Sequence, residues 1–293
     1  MRIFNAQLRS KSLNNLRQQI FHFFLMNLNN KTIWITGASS GIGEAIAKEL
    51  SKKNVTLVLS ARRKEELERV KKECASSSTI LIYSLDLEDS INAATWVDDV
   101  LKLTPNIDIL INNGGVGHMG DVIKMDAKVE RRVMEVNFWG HVMLTKAILP
   151  HFIKNNAGMI CTTGSILGKF GSPSLAAYAA SKHALYGYYD SLREELRDTN
   201  IQVMMVTPGF INTDVTKSSY TADGKVLGKN SVAQEKGMKP EELAKKLVSA
   251  VEKEKKSVLI GKWETFSVPF KNTTPNLFYN AMNFLTKRAR KKD

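Results

Sequence analysis

From Lys31 onward, the chain alternates between short apolar runs and longer segments of helical periodicity. The apolar runs have the length of β-strands, and several lack the polar alternation of a strand with one face in water. They are Ile33–Thr36, Val55–Ser60, Ile80–Tyr83, Ile107–Ile111, Met159–Thr162, Val203–Val206 and Val258–Ile260. The helical segments are Gly43–Lys52, Lys64–Cys74, Ser90–Leu103, Val129–Asn155, Ala176–Arg197 and Pro240–Lys253. This alternation predicts an α/β fold, with a doubly wound, parallel seven-stranded sheet and helices on both faces.

The same alternation indicates one main domain over residues 26–268, because no linker rich in proline, glycine or serine divides it. Between Pro208 and Pro240 the alternation breaks in a polar stretch with three glycines, which predicts a lid over residues 212–239. Residues 269–293 form a predicted amphipathic and basic C-terminal tail, since apolar side chains at helical spacing precede a run of lysines and arginines.

Residues 1–25 form an N-terminal extension that differs from the rest, because a basic polar segment precedes a short apolar stretch at residues 20–25. That stretch is shorter than the apolar region of a signal peptide, and no clear cleavage site follows it. Two interpretations stay open. Translation starts at Met26, or the extension touches a membrane.

The formal net charge of +13 would by itself suggest a polyanionic partner. Residues 1–25 and residues 287–293 each carry +4, however, which leaves only +5 on the body of the chain. We therefore expect no nucleic-acid partner. The basic run Lys287–Lys292, behind an amphipathic segment, predicts weak peripheral contact with an anionic membrane.

The composition excludes several classes of protein. Hydrophobic residues make up 43% of the chain and charged residues 24%, which is ordinary globular usage and not that of a disordered chain. No apolar run reaches the ~20 residues of a membrane span. The two cysteines, Cys74 and Cys161, are far apart, which excludes a disulfide scaffold and a cysteine zinc site. They favour a reducing, cytoplasmic location, with membrane association as the alternative.

The histidines share no metal-ligand spacing, so we expect no metal site. They are His22, His118, His141, His151 and His183. We expect all of these except His22 to lie at the surface or to serve in packing. The alternative for His118 is that it lines the mouth of a substrate site.

The first predicted strand runs into a glycine-rich turn, Thr36–Gly43, which a helix follows at once. In this context, backbone N–H groups and the positive end of the helix face an anion, and glycine lets a pyrophosphate approach the backbone. The turn therefore predicts nucleotide binding. The residues expected to take part are Gly37, Ser39, Ser40, Gly41, Ile42 and Gly43.

The end of the second predicted strand carries Arg62 and Arg63 and no carboxylate. An acidic residue at this place would bind the ribose 2′-hydroxyl of NAD, whereas a guanidinium matches the 2′-phosphate of NADP. We predict NADP(H) as the cofactor, with Arg62 as the main contact. The alternative is two solvated arginines at the start of a helix.

Three side chains suggest proton-transfer chemistry. Tyr178 and Lys182 are four residues apart in a helical segment, which places them on one face. An ammonium beside a phenol favours the phenolate, so we expect Lys182 to lower the pKa of Tyr178 from its usual value of about 10. Ser165 follows a predicted strand at the sheet edge where open α/β folds bind ligands.

These motifs, in this order, resemble the short-chain dehydrogenase/reductase superfamily. The resemblance spans about residues 30 to 265 and also covers Asn112–Gly115, Asn137 and Pro208–Thr213. Segments 60–63, 112–115 and 165–168 are similar to a membrane-associated steroid and retinoid reductase branch, which includes dehydrogenase/reductase member 7. The resemblance implies a Rossmann fold and a short-chain NADP(H)-dependent enzyme of class EC 1.1.1.-.

The resemblance also implies a role for each matched residue. Tyr178 is the general acid in reduction and the base in oxidation, and Lys182 tunes it and holds the nicotinamide ribose. Ser165 binds the substrate oxygen, and Asn137 holds a water that links Lys182 to solvent. The remaining cofactor contacts implied are Asp86, Leu87, Asn113, Gly114, Pro208, Gly209, Ile211 and Thr213. Gly114 departs from the family, which usually has alanine there.

The expected substrate pocket is apolar and therefore predicts a lipophilic ketone, aldehyde or alcohol. Its residues are Val116, Ile166, Leu167, Phe170, Val215 and Tyr220. The long helical segments 129–155 and 176–197 resemble those that pair subunits in the superfamily, which implies a homodimer or homotetramer. Two other functions stay open. The chain is a basic scaffold or peripheral membrane protein, or it catalyses non-redox chemistry as an epimerase or dehydratase.

Overall fold

The computed structural model of the protein describes residues 25–290, and the side chains of residues 25–284. Seven parallel strands form one sheet. They are β1 (Thr32–Thr36), β2 (Thr56–Ser60), β3 (Thr79–Ile82), β4 (Ile109–Asn112), β6 (Gly158–Thr163), β7 (Ile201–Pro208) and β9 (Ser257–Ile260). Their order in the sheet is β3-β2-β1-β4-β6-β7-β9. Two further strands, β5 (His118–Met119) and β8 (Tyr220–Thr221), form a small second sheet. The order and direction confirm the predicted doubly wound α/β fold.

Helices connect these strands. They are α1 (Gly41–Leu50), α2 (Lys64–Glu73), α3 (Ala93–Leu103), α4 (Ala127–Met134), α5 (Gly140–Asn155), α6 (Ala176–Glu195), α7 (Val232–Glu235), α8 (Pro240–Glu252), α9 (Ser267–Thr273) and α10 (Pro275–Arg290). Short 3₁₀ turns occur at Leu87–Asn92, Val122–Lys124, Ile166–Gly168 and Trp263–Phe266. Most of the N-terminal extension, residues 1–24, and the side chains of the basic run Lys287–Lys292 lie outside the described part of the chain.

The core has two halves, because successive side chains of a strand point to opposite faces of the sheet. On one face, Ile33 and Ile35 of β1 pack with residues of α1 and α8. On the other face, Trp34 packs with residues of α3, α5 and α6. All five residues of β1 are buried, which explains why this strand is apolar throughout rather than alternating.

Two predicted helices differ in the structure. The segment predicted as one helix over Val129–Asn155 is interrupted by a π turn at Glu135–Trp139, between α4 and α5. The amphipathic tail predicted over residues 269–293 contains parts of two helices, since α9 ends before Pro275, whose ring disfavours helical geometry at Thr274. Hydrophobic periodicity alone does not reveal the π turn, whereas the break before α10 coincides with Pro275, which is visible in the sequence.

The expected lid region, residues 212–239, is tied down at several points rather than free. Ile211 pairs with Met238 in an isolated parallel bridge at its base. β8 pairs with β5, and the short helix α7 follows. The sequence contained no strong signal for these elements, because two-residue strands are too short to show periodicity.

Candidate active site

The glycine-rich turn joins β1 to α1 at the carboxyl edge of the sheet. Gly37 and Gly41 have φ values of +66° and +58°, a conformation that favours glycine. Ser40 precedes α1 and its side chain forms no cap hydrogen bond, so the first N–H groups of the helix have no side-chain acceptor. This geometry fits the pyrophosphate of a dinucleotide, which would accept those hydrogen bonds.

The turn is packed tightly against the segment that follows β4. A Cβ atom on Gly37 would lie 2.6 Å from the Cα atom of Gly114, and one on Gly43 would overlap the Gly37 carbonyl oxygen. The Thr36 hydroxyl accepts hydrogen bonds from the backbone N–H groups of Asn113 and Gly114, at 3.0 and 3.2 Å. The two segments expected to contact the cofactor are therefore held side by side by backbone contacts.

Packing explains why residue 114 is glycine rather than the alanine that is usual in the family. A Cβ atom there would lie 2.5 Å from Cδ1 of Leu87, which is buried beside it. The sequence showed only that glycine replaces the alanine usual in the family at this position. The structure instead indicates that the leucine side chain occupies the space that an alanine methyl would need.

Both arginines at the end of β2 are exposed. Arg63 donates a hydrogen bond to the Ser39 hydroxyl in the glycine turn at 3.4 Å. Arg62 lies 4.0 Å from the carboxylate of Asp86, the residue expected at the adenine. Arg63 is thus the guanidinium in contact with the glycine turn, whereas Arg62 faces Asp86.

The root of the lid lies next to the turn as well. Thr213 is close to Gly41, since a Cβ atom on that glycine would be 3.1 Å from the Thr213 methyl. Gly209 follows β7 and borders the buried carboxylate of Glu264, which a Cβ atom would overlap. Glu264 accepts hydrogen bonds from the N–H groups of Phe210 and Lys262, both at 3.0 Å. No pattern in the sequence indicates this role for Glu264, because a single acidic residue outside any motif does not reveal its partners.

Asn137 lies in the π turn and is completely buried. Its side-chain amide exchanges two hydrogen bonds with the backbone of Val116, both at 2.8 Å, and donates a third to the Ser181 hydroxyl at 3.2 Å. Turns of this kind are frequent at functional sites. Asn137 and Lys182 both border Gly115, whose Cβ atom would lie 3.1 Å from the Asn137 carbonyl oxygen and 3.8 Å from the Lys182 nitrogen.

The three proposed reactive side chains come from neighbouring elements. Ser165 lies just after β6, where its hydroxyl accepts a hydrogen bond from the N–H of Leu167 at 3.1 Å. Tyr178 and Lys182 are in the first turns of α6. The Lys182 ammonium lies 5.9 Å from the centre of the Tyr178 ring and donates to the Thr163 carbonyl at 2.9 Å.

The electrostatics differ from the prediction in one respect. Burial raises the pKa of the Tyr178 phenol, with hydrogen bonding from Ser165 acting in the opposite direction. Burial also lowers the pKa of Lys182 to about 8. The net pKa of Tyr178 is therefore raised rather than lowered, because loss of solvent outweighs the stabilisation that the Lys182 ammonium, which donates to the Thr163 carbonyl, supplies to the phenolate.

His118, which the sequence left as a packing or mouth residue, supports the catalytic helix. Its Nε2 atom accepts a hydrogen bond from the backbone N–H of Tyr178 at 3.1 Å. That N–H is the third of α6, whose own cap residue Leu175 supplies no side-chain bond. Burial lowers the pKa of His118 and so favours the neutral ring, which can accept.

His141 occupies the interior behind the cofactor segment. Its Nε2 atom lies 2.7 Å from the carbonyl oxygen of Gly114, and must donate because a carbonyl only accepts. Burial and the Lys182 cation lower the pKa of His141 to about 3. A neutral imidazole therefore holds the backbone beside the proposed cofactor site.

The expected substrate-pocket residues divide into two groups. Ile166, Leu167 and Phe170 form one buried cluster with Phe278 of α10, and Tyr178 packs against it. The other group, Val116, Val215 and Tyr220, lies outside this cluster, with Val215 37% exposed and Tyr220 beneath the Arg132 guanidinium at 4.7 Å. The contribution of Phe278 could not be predicted from the sequence, because no motif or spacing relates it to Phe170.

Within residues 25–290, no helix is both long and apolar enough to cross a membrane. No group of three or more potential ligands among histidine, cysteine, aspartate and glutamate could hold a metal ion in the same range.

A family model described as short chain dehydrogenase matches residues 31–224. The chain is 40% identical over 240 residues to a dehydrogenase/reductase SDR family protein 7-like of Anopheles gambiae, covering 80% of this chain and 76% of that protein.

Two solved structures have the same fold. One is a short-chain dehydrogenase/reductase from Burkholderia phymatum in complex with NAD, with a TM-score of 0.77 and 22% identity, covering 86% of this chain and 96% of that one. The other is a metagenomic short-chain oxidoreductase in complex with NADP, with a TM-score of 0.66 and 29% identity, covering 80% and 97%. The chain therefore belongs to the short-chain dehydrogenase/reductase family of oxidoreductases, within the branch of member 7.

Proposed function

We propose that this protein is an NADP(H)-dependent reductase or dehydrogenase that interconverts a lipophilic ketone or aldehyde with the corresponding alcohol. The observation that carries the proposal is the convergence of Ser165, Tyr178 and Lys182 at the carboxyl edge of the sheet, where Lys182 borders Gly115 in the segment that packs on the glycine turn. Ligands of open α/β folds bind at this edge. The cofactor, when bound, supplies or accepts the hydride.

The side chains then have separate tasks. The Ser165 hydroxyl binds the substrate oxygen, where negative charge develops during reduction. The Tyr178 phenol donates the proton to that oxygen. Burial raises the pKa of this phenol and so favours its protonated form before the reaction. Lys182 stabilises the phenolate that results and holds the nicotinamide ribose, and Asn137 fixes the backbone of Val116 beside it.

Preference for NADP(H) rests on Arg62 and Arg63. The two guanidiniums at the end of β2 match a 2′-phosphate, and the contact of Arg63 with Ser39 in the glycine turn supports a shared role rather than Arg62 alone. Solved relatives of this fold bind either NAD or NADP, so the choice depends on these side chains.

The cofactor assignment is tested by kcat/KM with NADPH and NADH for the wild type and for Arg62→Ala and Arg63→Ala. We expect each variant to lose about tenfold to a hundredfold with NADPH and little with NADH, since each removes charge-assisted hydrogen bonds. Arg197→Ala, an exposed arginine beyond the far end of α6, is the control. Equal use of both cofactors, unchanged in the variants, would refute the assignment.

The chemistry is tested with Tyr178→Phe. We expect carbonyl reduction to fall by about 100- to 10,000-fold, because the proton donor is lost. The rise in Tm on adding NADPH should persist, since the cofactor still binds the native state. Substrate turnover without net oxidation of NADPH would instead favour an epimerase or dehydratase.

The lipophilic substrate is supported by the apolar cluster of Ile166, Leu167 and Phe170 against Tyr178. A panel of long-chain, steroid and retinoid carbonyls against sugars and polyols tests it, and best turnover of the polar compounds would contradict it.

The free cysteines favour a location in the reducing cytoplasm. Exposed apolar side chains at Trp139 and Ile153 support pairing of subunits, which sedimentation measures.

A further inference from the structure

A second buried tyrosine lies on the catalytic helix. Tyr186 follows Lys182 by four residues in α6, on the same side of the helix as Tyr178. Its ring is buried and belongs to the half of the core that contains Trp34. A phenylalanine ring would fill that space equally well, and burying a hydroxyl costs free energy unless it is hydrogen-bonded. The phenol oxygen of Tyr186 therefore needs an explanation that packing alone does not supply.

The Tyr186 hydroxyl connects β7 to residues 164–168, which we call the serine segment. It donates a hydrogen bond to the Ser165 carbonyl at 3.3 Å and lies 2.6 Å from the buried hydroxyl of Thr207. Because a carbonyl oxygen only accepts, the phenol donates to Ser165, and the Thr207 hydroxyl donates to the phenol. Burial raises the pKa of Tyr186 to about 12, so the phenol keeps the proton that this hydrogen bond requires.

The serine segment also packs directly on the Tyr186 ring. A glycine stands at each end of the segment. A Cβ atom on Gly164 would lie 2.5 Å from the phenol oxygen, and one on Gly168 would overlap the ring. The Lys169 ammonium lies 3.3 Å from the centre of the same ring, within the range of a cation–π contact. Both ends of the serine segment therefore rest against a single side chain.

The geometry within the serine segment decides where the Ser165 proton points. The serine oxygen accepts a hydrogen bond from the N–H of Leu167 at 3.1 Å, and the serine carbonyl accepts one from the N–H of Gly168 at 2.9 Å. With its oxygen held in this way, the hydroxyl has its own proton to donate to a substrate oxygen. A displacement of about 1 Å in a group of this kind can cost about 100-fold in rate.

We propose that Tyr186 is a positioning residue for the Ser165 hydroxyl, and that it holds the serine segment through both its phenol hydrogen bond and its ring. It acts on the reaction through Ser165 and not by contact with the substrate. This inference rests on the function proposed above, in which Ser165 binds the substrate oxygen. It adds the side chain that fixes the direction of that contact.

The first test compares Tyr186→Phe with Tyr189→Phe. Tyr189 is the matched control, because it is a fully buried phenol in the same helix whose hydroxyl bonds to Thr145 and Asn112. We expect Tyr186→Phe to lower kcat for carbonyl reduction by about tenfold, since the ring stays and only the hydrogen bond to Ser165 is lost. The control should keep the wild-type kcat, and both variants should keep the rise in Tm with NADPH. Equal falls in kcat would indicate a general loosening of α6 and would overturn the proposal.

Amide hydrogen exchange examines the serine segment without any turnover. The N–H groups of Leu167 and Gly168 are both bonded to Ser165, so their exchange rates report how firmly the segment is held. We expect faster exchange at both amides in Tyr186→Phe and wild-type rates in Tyr189→Phe. Wild-type exchange at both amides in Tyr186→Phe would show that the phenol does not hold the segment.

A double-mutant cycle with Ser165→Ala separates this inference from the proposed function. If Tyr186 acts through the serine hydroxyl, Tyr186→Phe should lower kcat little further once that hydroxyl is absent. Independent effects that multiply in the double variant would refute the positioning role. Wild-type kcat in Ser165→Ala would instead refute the proposed function itself. A low kcat in Ser165→Ala together with wild-type kcat in Tyr186→Phe would refute the positioning role alone.

Discussion

The cofactor side and the substrate side of the cleft are built differently. On the cofactor side, Thr36–Gly43 and Asn113–Gly114 contact each other mainly through backbone atoms and one hydroxyl. On the substrate side, side chains from distant parts of the chain converge, as Phe278 of α10 does on Phe170. Backbone contacts require particular residue types at fixed spacing, whereas side-chain convergence can be met by many sequences. The cofactor side is therefore recognisable in the sequence as a motif, whereas the substrate side is not.

The largest effect should come from Phe278→Ala on the substrate side. Removal of a buried aromatic ring costs about 3 to 5 kcal/mol when the site cannot collapse. Because the lost contacts are with Phe170 and the helices α9 and α10, we expect a raised KM for lipophilic carbonyls and an unchanged Kd for NADPH. Chemical denaturation and isothermal titration measure the two quantities. An equal loss of cofactor affinity would show that the two sides are not independent.

The reciprocal test is Gly43→Ala on the cofactor side. The added methyl would overlap the Gly37 carbonyl, and overpacking of this kind costs about 1 to 3 kcal/mol. A displaced turn should weaken NADPH binding by about 100-fold, since the N–H groups of the helix no longer meet the pyrophosphate. Gly171→Ala is the control, because nothing lies within 4 Å of its Cβ position. Normal NADPH affinity in Gly43→Ala would contradict the proposed cradle.

A smaller effect is expected from His118→Leu, which removes the acceptor for the N–H of Tyr178. The unpaired N–H costs about 1 to 3 kcal/mol, and the start of α6 should loosen. We expect lower kcat with little change in NADPH affinity, and faster amide exchange at residues 176–178. His118→Gln offers an acceptor of similar reach to Nε2 and should recover part of the loss. Identical kcat in both variants and the wild type would remove His118 from this role.

The smallest effect concerns pH. Burial holds the pKa of Lys182 at about 8, so the side chain is cationic below that pH and neutral above it. Since the cation stabilises the Tyr178 phenolate left after proton donation, kcat/KM for reduction should fall by up to about tenfold per unit above pH 8. Lys182→Arg, whose charge persists at high pH, should show no such fall. A wild-type profile that stays flat to pH 10 would contradict the assignment.

The sequence predicted the cofactor side in detail. The turn, the position of Ser165 after β6, and the pair Tyr178 and Lys182 in one helix follow from motifs whose spacing depends on local geometry. The structure gives a role to three residues that belong to no sequence motif: His118, His141 and Glu264. Each acts on backbone atoms of a segment distant in the chain, and a single histidine or glutamate in a sequence gives no indication of such a partner.

By itself, the sequence determined the order of strands and helices, the glycine turn and the residues expected to carry out the chemistry, because each depends on near neighbours in the chain. Only the tertiary structure decided the pairing of β5 with β8 and the packing of Phe278 behind Phe170. It also decided the pKa of Tyr178, which burial raises. These features depend on which distant groups exclude water from one another, and hydrophobic patterning along a chain does not specify that.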